Sequence, residues 1–407
     1  MSITASNIRP TARFMKGMPV ATPSRLVRLD ALRGFALVGI LAVNVWAFAT
    51  GYYGSGIADP AGDPVVQFAV SMFFETKFYL LFSFLFGYSF TLQMDAAARA
   101  DAAFRPRMLR RHLGLAVIGV AHAVLLFHGD ILTTYAVLGL VLLALRDISA
   151  RRAVWLAIGL LLASGVLWTL LGVLDLLTPT PVDGAAAAAR VTETVAAYQG
   201  TPATVVAEHL RQLPSTLALV VFVQAPSALA MFLLGFAAGK RQLFAEPWRH
   251  RTLWTWLLRA GLPIGLAGAA FYAYLTVHHP GSGAQTLAIG VTLLTAPLLT
   301  GGYVAALLRL FETRAATVFA PVGRVALSNY ILQSVILSLV FTAYGLGLVG
   351  NLPYAAVAGL VVVIYAIQLA LSALWLRSHR YGPLEWLLRA VTTGARPAAA
   401  RPPALRP

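Results

Sequence analysis

Two ionisable side chains inside a long apolar stretch are the first residues that could carry chemistry. Glu75 and Lys77 lie in FFETKFYLLFSFLFGYSF, and at a rise of about 1.5 Å per residue they lie about 15 to 18 Å into that stretch, near a bilayer centre. On a straight helix they point apart and cannot pair. We expect Asp30 or Asp130 to partner Lys77, and Arg33 or a histidine to partner Glu75. Charges at this depth usually line a functional cavity, unless both lie near an interface where the lysine reaches water.

A second candidate group lies in HGDILTTYAVLG, which contains His128, Asp130 and Tyr135. A histidine and a carboxylate this close can act as a base and the group that orients it. The carboxylate could equally cap the N-terminus of the following helix, and the sequence leaves both interpretations open. His122, six residues before His128, is either a direct participant or a hydrogen-bonded core residue.

The first apolar stretch carries polar groups on one face. Asp30, Arg33 and Asn44 are separated by steps of three and four residues through Leu37 and Leu41, so they share a helical stripe. This pattern predicts a polar seam that faces the protein interior. Alternatively, the two charged residues cap the helix at the membrane interface, and the amide forms a hydrogen bond to a neighbouring helix.

A later stretch, PVGRVALSNYILQSVI, repeats this theme. Arg324 stands at its predicted inner mouth, and Asn329 and Gln333 are four residues apart on one face. The two amides could bind a substrate or join neighbouring helices, and the second role suits Gln333 better.

The elements that must hold these residues are membrane helices. Of 407 residues, 59% are hydrophobic and only 11% are charged, too few polar groups to cover a soluble globule. We predict an all-α, polytopic membrane protein of about ten spans, since each stretch approaches the roughly 20 residues that cross a bilayer. The stretches are 31–49, 66–92, 110–128, 131–146, 153–177, 215–239, 252–276, 284–308, 324–345 and 353–376.

Basic residues predict the orientation. Placing both termini in the cytoplasm puts nearly all arginines and lysines on the inner side and only Arg190 and Arg211 on the outer side, which follows the positive-inside rule. The domains are then a basic cytoplasmic tail (1–28), one transmembrane unit (29–390) and a disordered tail (391–407). Within the transmembrane unit, the outer loop 178–214 is expected to form short surface helices.

Several functions are excluded by composition. The net charge of +16 is spread over short loops between apolar stretches, which argues against nucleic-acid binding. The absence of cysteine excludes disulfides and thiolate chemistry. Phosphate-binding loops, dinucleotide fingerprints, zinc-protease motifs and closely spaced metal ligands are missing from the sequence, so we predict no metal site and no tightly bound cofactor.

Five ordered motifs, RLDALRGFALVGILAVN, ETKFYLLFSFLFGYSF, HGDILTTYAVLG, GRVALSNYILQS and GPLEWLLR, resemble the YeiB-like bacterial membrane proteins, the family of domain of unknown function 418. The resemblance runs from about residue 26 to 390. That family looks distantly related to integral-membrane acyltransferases, which are marked by an arginine, ten residues and a histidine. Here Arg33 is followed at that distance by Asn44, an amide that cannot act as a base near neutral pH.

The resemblance implies a bacterial inner-membrane, multi-pass protein that moves an acyl group from a cytoplasmic donor, such as acyl-CoA as co-substrate, to an envelope or small-molecule acceptor. Arg33 with the Arg110–Arg111 pair would hold phosphate, and Asn44 would orient the carbonyl. The catalytic candidates are Glu75, His128 and Asp130. Donor or substrate binding is assigned to Arg33, Asn44, Lys77, His122, Tyr135, Arg324, Asn329 and Gln333.

Other functions stay open at this point. A permease for a small polar or anionic solute needs the same intramembrane charges, and a catalytically inactive scaffold or sensor is a third reading. The lipid bilayer is the one partner that composition requires, and nucleic acid is not expected. Whether the chain forms a homo-oligomer is left open.

Overall fold

The structure, a computed structural model, describes residues 23–179 and 182–399. Within these ranges the chain forms sixteen α-helices and no β-strand. In chain order they are α1 (Pro23–Ala49), α2 (Pro64–Phe73), α3 (Lys77–Arg99), α4 (Phe104–Leu125), α5 (Leu132–Ala144), α6 (Ala150–Leu177), α7 (Gly184–Gln199), α8 (Pro202–Leu219), α9 (Ala225–Lys240), α10 (Arg251–Trp256), α11 (Leu262–His278), α12 (Gly283–Leu310), α13 (Ala315–Arg324), α14 (Ala326–Phe341), α15 (Tyr354–Ser378) and α16 (Pro383–Thr393).

Several helices begin at side chains that satisfy the unpaired backbone N–H groups of a first turn. Asp63, just before Pro64, accepts hydrogen bonds from two N–H groups of α2. Ser149, Thr201 and Ser282 play the same part for α6, α8 and α12. These are the residue types that favour helix N-termini, with proline tolerated in the first turn.

The predicted all-α, polytopic class is confirmed. Among the described residues, eight helical segments are long and apolar enough to cross a membrane, and the bent pair α13–α14 makes a ninth. Together with the shorter α5, they coincide in order with the ten predicted stretches. Large apolar side chains such as Leu113, Leu177 and Val362 are two-thirds exposed or more, as expected for surfaces that face lipid rather than water. The orientation of the termini stays a prediction.

The fourth stretch differs from the expectation of a full span. Helix α5 has 13 residues, about 20 Å at helical rise, which is too short to cross the hydrocarbon layer. The turn 126–131 is therefore drawn into the bundle, where Asp130 is only 6% exposed. Helix α8 lies over this turn, with Nδ1 of His209 3.1 Å from the carbonyl oxygen of Val124.

The second span is broken, which corrects the prediction of a straight helix. Helix α2 ends at Phe73, α3 begins at Lys77, and Thr76 between them has a φ of +71°. Thr76 thus departs from helical φ and ψ between the two helices, and for a β-branched threonine a positive φ is strained. Glu75 and Lys77 therefore lie at a helix break rather than on the wall of one continuous helix.

The ninth span is also discontinuous. Helices α13 and α14 meet at an angle of 78°, so Arg324 at the end of α13 lies at a corner. Helix α13 packs closely along α1, where a Cβ on Gly323 would overlap the main-chain carbonyl of Asp30. Small residues at such contacts let helix backbones approach within a membrane. Tyr365 of α15 donates a 2.7 Å hydrogen bond to the carbonyl of Gly34, which makes α1 the central helix of this group.

The ends of the described chain refine the predicted tails. Helix α1 begins at Pro23, so residues 23–28 of the expected N-terminal tail are helical, and residues 1–22 lie outside the described residues. Helix α16 extends to Thr393 and is closed by Gly394, whose φ of +67° suits glycine. The expected disordered tail, 391–407, thus overlaps α16 by three residues, and residues 400–407 lie outside the described part. On the predicted outer side, α7 and α8 follow residue 183, and α8 continues through a π-helical turn into α9.

Candidate functional site

A cavity of about 680 Å³ opens between α1, α3, α4, α14 and α16. Its volume falls within the range of small-molecule and cofactor sites. One end lies among residues that the charge pattern predicts to be cytoplasmic, such as Ala100, Arg107 and Thr393. The other end lies against the start of α5, at Ile131 and Leu132. The cavity therefore extends from the predicted cytoplasmic side deep into the bundle.

Arginines dominate the open end. Five of them line the cavity, against a single carboxylate, that of Glu385; the arginines are Arg33, Arg107, Arg111, Arg324 and Arg389. Nε of Arg111 is buried and has no hydrogen-bond partner among the described residues. A cluster of guanidinium groups in a site with low-dielectric walls attracts an anion. The sequence-based phosphate pair is corrected in one respect, because Arg110 is exposed and does not line the cavity.

Arg33 is held in place on both sides of its guanidinium. Nη1 donates a 2.7 Å hydrogen bond to Oδ1 of Asp30, one turn earlier on α1. Nη2 donates to the hydroxyl of Ser89 on α3, which in turn donates to the carbonyl of Leu85. A guanidinium fixed by two partners has little rotamer freedom left to lose when a ligand binds.

Helix α16 closes one wall of the cavity through a carboxylate. Glu385 accepts hydrogen bonds from the backbone N–H groups of Leu327 (2.7 Å) and Ser328 (3.1 Å) and from the Ser328 hydroxyl (2.6 Å). Glu385 thus caps the first turn of α14 from a different helix. Burial raises the pKa of the Glu385 carboxyl, while the Ser328 hydrogen bonds lower it less.

The closed end of the cavity is apolar apart from two tyrosines. Phe82, Phe86 and Leu115 form its walls. The hydroxyl of Tyr135 donates to the carbonyl of Tyr79 (2.9 Å) and lies 2.8 Å from the Ser83 hydroxyl. The hydroxyl of Tyr330 is buried near the backbone of Ile131 without a well-formed hydrogen bond. This end can accommodate an apolar segment of a ligand, with a polar group of the ligand next to the Tyr330 hydroxyl.

A buried histidine–carboxylate pair lies directly behind this end. Nδ1 of His122 is 2.9 Å from Oδ1 of Asp130, and the His122 ring packs on the Tyr330 ring with centroids 5.1 Å apart. Oδ2 of Asp130 accepts a 2.7 Å hydrogen bond from the N–H of Thr133. The structure therefore gives Asp130 both roles that the sequence left open, capping α5 and orienting a histidine. The histidine it orients is His122 and not His128.

His128 points away from this pair, toward the outer helices. Its ring lies 6.0 Å from that of His209 on α8. Nδ1 of His128 is buried without a hydrogen-bond partner among the described residues. The orienting carboxylate that a catalytic base needs therefore belongs to His122.

Glu75 and Lys77 lie at the break in the second span, apart from the cavity lining. Lys77 is fully buried, and its Nζ donates a 2.7 Å hydrogen bond to the carbonyl of Ser71 at the end of α2. The expected acidic partners of Lys77 are engaged elsewhere, Asp30 with Arg33 and Asp130 with His122. Oε2 of Glu75 is buried without a hydrogen-bond partner in the described chain.

The three candidate amides do not line the cavity. Asn329 donates to the Ser372 hydroxyl (2.9 Å), and Gln333 donates to the side chain of Gln368 (2.8 Å). Gln368 in turn donates to the carbonyl of Asn329. These bonds join α14 to α15, the role in helix association that the sequence allowed. Asn44 is half-buried on α1, above the arginine end.

The sequence missed two parts of this arrangement. Ser334 lies 2.8 Å from Nε2 of His122, a contact across 212 residues that no local spacing reveals. Arg389 and Glu385 were also absent from the sequence-based candidates. Their joint presence in the GPLEWLLR motif was the available signal. No group of three or more metal-ligating side chains occurs in the ranges that the structure describes.

Fold and site together define a class: a multi-pass helical membrane protein with an arginine-lined internal cavity. The family model described as protein of unknown function (DUF418) matches residues 238–395. Uncharacterized protein YxaH of Bacillus subtilis is 33% identical over 401 residues, covering 92% of this chain and 96% of its own. The uncharacterized protein YeiB of Escherichia coli is 25% identical over 415 residues, covering 91% and 97%. The chain belongs to the YeiB-like DUF418 family.

Proposed function

We propose that this protein is a membrane-bound acyltransferase of the bacterial inner membrane. It takes an acyl group from an anionic cytoplasmic donor and passes it to a hydroxyl or amine of an envelope or small-molecule acceptor. The observation that carries the proposal is the polarity of the cavity. Arginines surround its open end, and its apolar closed end abuts a buried His122–Asp130 pair.

The donor fits the cavity by charge and by shape. A phosphate-bearing head group, as in an acyl-CoA, would lie among Arg33, Arg111 and Arg324, where charge-assisted hydrogen bonds are strong. The acyl group would extend past Ile40, about 10 Å further along α1 at helical rise, to the apolar end. Tyr330 would donate its hydroxyl to the acyl carbonyl, because that hydroxyl lacks a well-formed bond of its own.

Proton transfer belongs to His122 in this proposal. Asp130 accepts from Nδ1 of the ring, which leaves Nε2 as the basic atom. Nε2 would take the acceptor's proton as the new acyl bond forms, and would return it to the leaving group. Asn44 is not needed as a base, so its presence in place of a histidine does not prevent acyl transfer. Glu75 and His128 have no part in this step.

A binding and transfer assay tests the proposal. The purified protein in lipid nanodiscs should bind a labelled acetyl-CoA and should transfer the label to a component of an envelope extract. Removing one charge-assisted contact costs about 1.5–3 kcal/mol, so Arg111→Ala should weaken donor binding by roughly 10- to 150-fold. Arg152→Ala is the matched control, since Arg152 is an exposed residue of α6 outside the cavity. A wild-type protein with neither thioester binding nor transfer would contradict the proposal.

A transporter is the second candidate, and a separate observation favours it. Glu75 and the fully buried Lys77 lie at adjoining helix ends in the second span. Transporters bind substrates and coupling ions at such helix breaks near the bilayer midplane, which supports this second candidate. In that case Glu75→Gln should abolish solute uptake into proteoliposomes without affecting any covalent product. Transfer that survives Glu75→Gln, with no measurable flux in the wild type, would favour the enzyme.

A further inference from the structure

A serine completes the buried pair behind the cavity. The Ser334 hydroxyl oxygen lies 2.8 Å from Nε2 of His122, whose Nδ1 lies 2.9 Å from Asp130. Their exposed fractions are 3%, 2% and 6%. A serine, a histidine and a carboxylate joined in this order activate the serine for acyl transfer on several unrelated folds, and the arrangement is recognised by geometry rather than by sequence order.

We propose that Ser334 is a nucleophile that carries the acyl group as a covalent ester. The inference rests on the proposed acyltransferase function and adds a step to it: the acyl group leaves the donor before the acceptor arrives. His122 is then the general base, and Asp130 is a positioning residue that holds the ring tautomer through Nδ1–H.

The hydrogen bonding of Ser334 differs from that of its neighbour on the same helix. Ser338, four residues later, donates to a main-chain carbonyl, that of Leu126. Such a bond is the ordinary way for a serine to be satisfied inside a membrane helix bundle. Ser334 instead contacts Nε2 of His122. The Asp130 carboxylate at Nδ1 of the same ring orients the imidazole and raises the basicity of Nε2.

The acyl group has a short path to this serine. Tyr330 precedes Ser334 by one helical turn, so both lie on the same face of α14. Tyr330 lines the closed end of the cavity, and its ring packs against the ring of His122. In the proposed step the Tyr330 side chain rotates to join the cavity to the Ser334 hydroxyl, and its phenol donates to the carbonyl oxygen as negative charge develops there.

The two steps balance without an added reagent. The oxygen of Ser334 bonds to the thioester carbonyl carbon, the carbon–sulfur bond breaks, and the serine proton passes through Nε2 of His122 to the departing thiolate. The acceptor hydroxyl then gives its proton to Nε2 while its oxygen bonds to the same carbon. The serine ester breaks, and Ser334 recovers the proton from His122.

A serine-directed probe tests the proposal on the full-length protein in nanodiscs. An alkyl fluorophosphonate should form one covalent adduct, and peptide mass spectrometry should place it on Ser334 in the wild type, without the need for any variant. Ser334→Ala should lose the adduct, and His122→Gln should slow its formation by at least about 100-fold. Ser338→Ala, a matched serine removal on the same helix, should label at the wild-type rate.

Two further variants separate catalysis from structure. Asp130→Asn should lower kcat for acyl transfer by about 10³- to 10⁴-fold with little change in KM. The amide no longer holds His122 in the required tautomer, whereas donor binding is unaffected. Tyr330→Phe keeps the ring packed on His122 but removes the hydroxyl that donates to the carbonyl oxygen, so it should lower kcat for acyl transfer by about 10²- to 10³-fold. Donor binding retained by Ser334→Ala serves as its folding control.

The outcomes distinguish this inference from the function on which it rests. A wild type that never labels, or an adduct that persists in Ser334→Ala, overturns the covalent step. If acyl transfer still occurs in that case, the acyltransferase proposal stands with direct transfer. Adduct formation at Ser334 without any thioester binding would retain the nucleophile and reject the proposed donor.

Discussion

Replacing Glu385 should detach α16 from the bundle. Its carboxylate receives three hydrogen bonds at 2.6 to 3.1 Å, two of them from the backbone at the first turn of α14. Losing a helix cap costs about 0.5–2 kcal/mol, and a buried donor left unpaired costs about 1–3 kcal/mol. Water from the adjoining cavity can recover part of this, so we expect Glu385→Ala to destabilise the protein by about 2–4 kcal/mol.

The isosteric variant Glu385→Gln should cost less, about 1–2 kcal/mol, because its amide oxygen still accepts from the backbone. Glu385→Gln should also remove the pH dependence that this carboxyl gives to the free energy of unfolding. Burial raises the pKa of Glu385 above its usual 4.5, so the folded protein binds more protons than the unfolded one above pH 4.5. This contribution to stability is fully present below pH 4.5 and is lost as the pH rises through the folded pKa.

Thermal unfolding in detergent and hydrogen exchange of residues 383–393 measure both effects. The matched control is Glu246→Ala, which removes a 2.6 Å ion pair with Arg249 at the surface and should cost less than about 1 kcal/mol. Glu385→Ala should melt earliest, with fast exchange confined to α16. If α16 exchanges at the wild-type rate in Glu385→Ala, the cap does not hold this helix and the reasoning is wrong.

Two other predictions concern packing. Gly323→Ala should destabilise by about 1–3 kcal/mol because its Cβ overlaps α1, whereas Gly359→Ala on α15, where a Cβ meets open space, should not; equal melting temperatures would refute the close contact. Gln333→Leu should lower stability by about 1 kcal/mol without altering thioester binding, and weaker binding would give this amide a ligand role.

Much of the architecture follows from the sequence. The length of the apolar stretches located the spans, because in lipid an α-helix satisfies all of its backbone hydrogen bonds within one segment. Spacing on α1 placed Asp30 and Arg33 on one face, one turn apart, where they pair with each other rather than with the expected Lys77 and Glu75. The break at Thr76 and the bend before α14 were not foreseen, since each depends on packing partners from elsewhere in the chain.

The candidate site was only partly within reach of sequence reasoning. Arg33, Arg324 and Tyr135 were identified and do line the cavity, and His122 and Asp130 lie behind it. Glu75 and Lys77 were assigned to this site because buried charges usually pair with opposite charges. Lys77 instead satisfies itself on the carbonyl end of α2, an option that exists only because the helix breaks there.

A cryo-electron microscopy structure of the protein saturated with a non-hydrolysable acyl-CoA analogue would decide whether the arginine-lined cavity is the donor site. Phosphate density should lie among Arg33, Arg111 and Arg324, and the acyl carbonyl should lie beside Tyr330 within reach of His122. Ligand density at the helix break near Glu75 and Lys77, or an arginine-lined cavity left empty at saturating analogue, would contradict the proposed donor site.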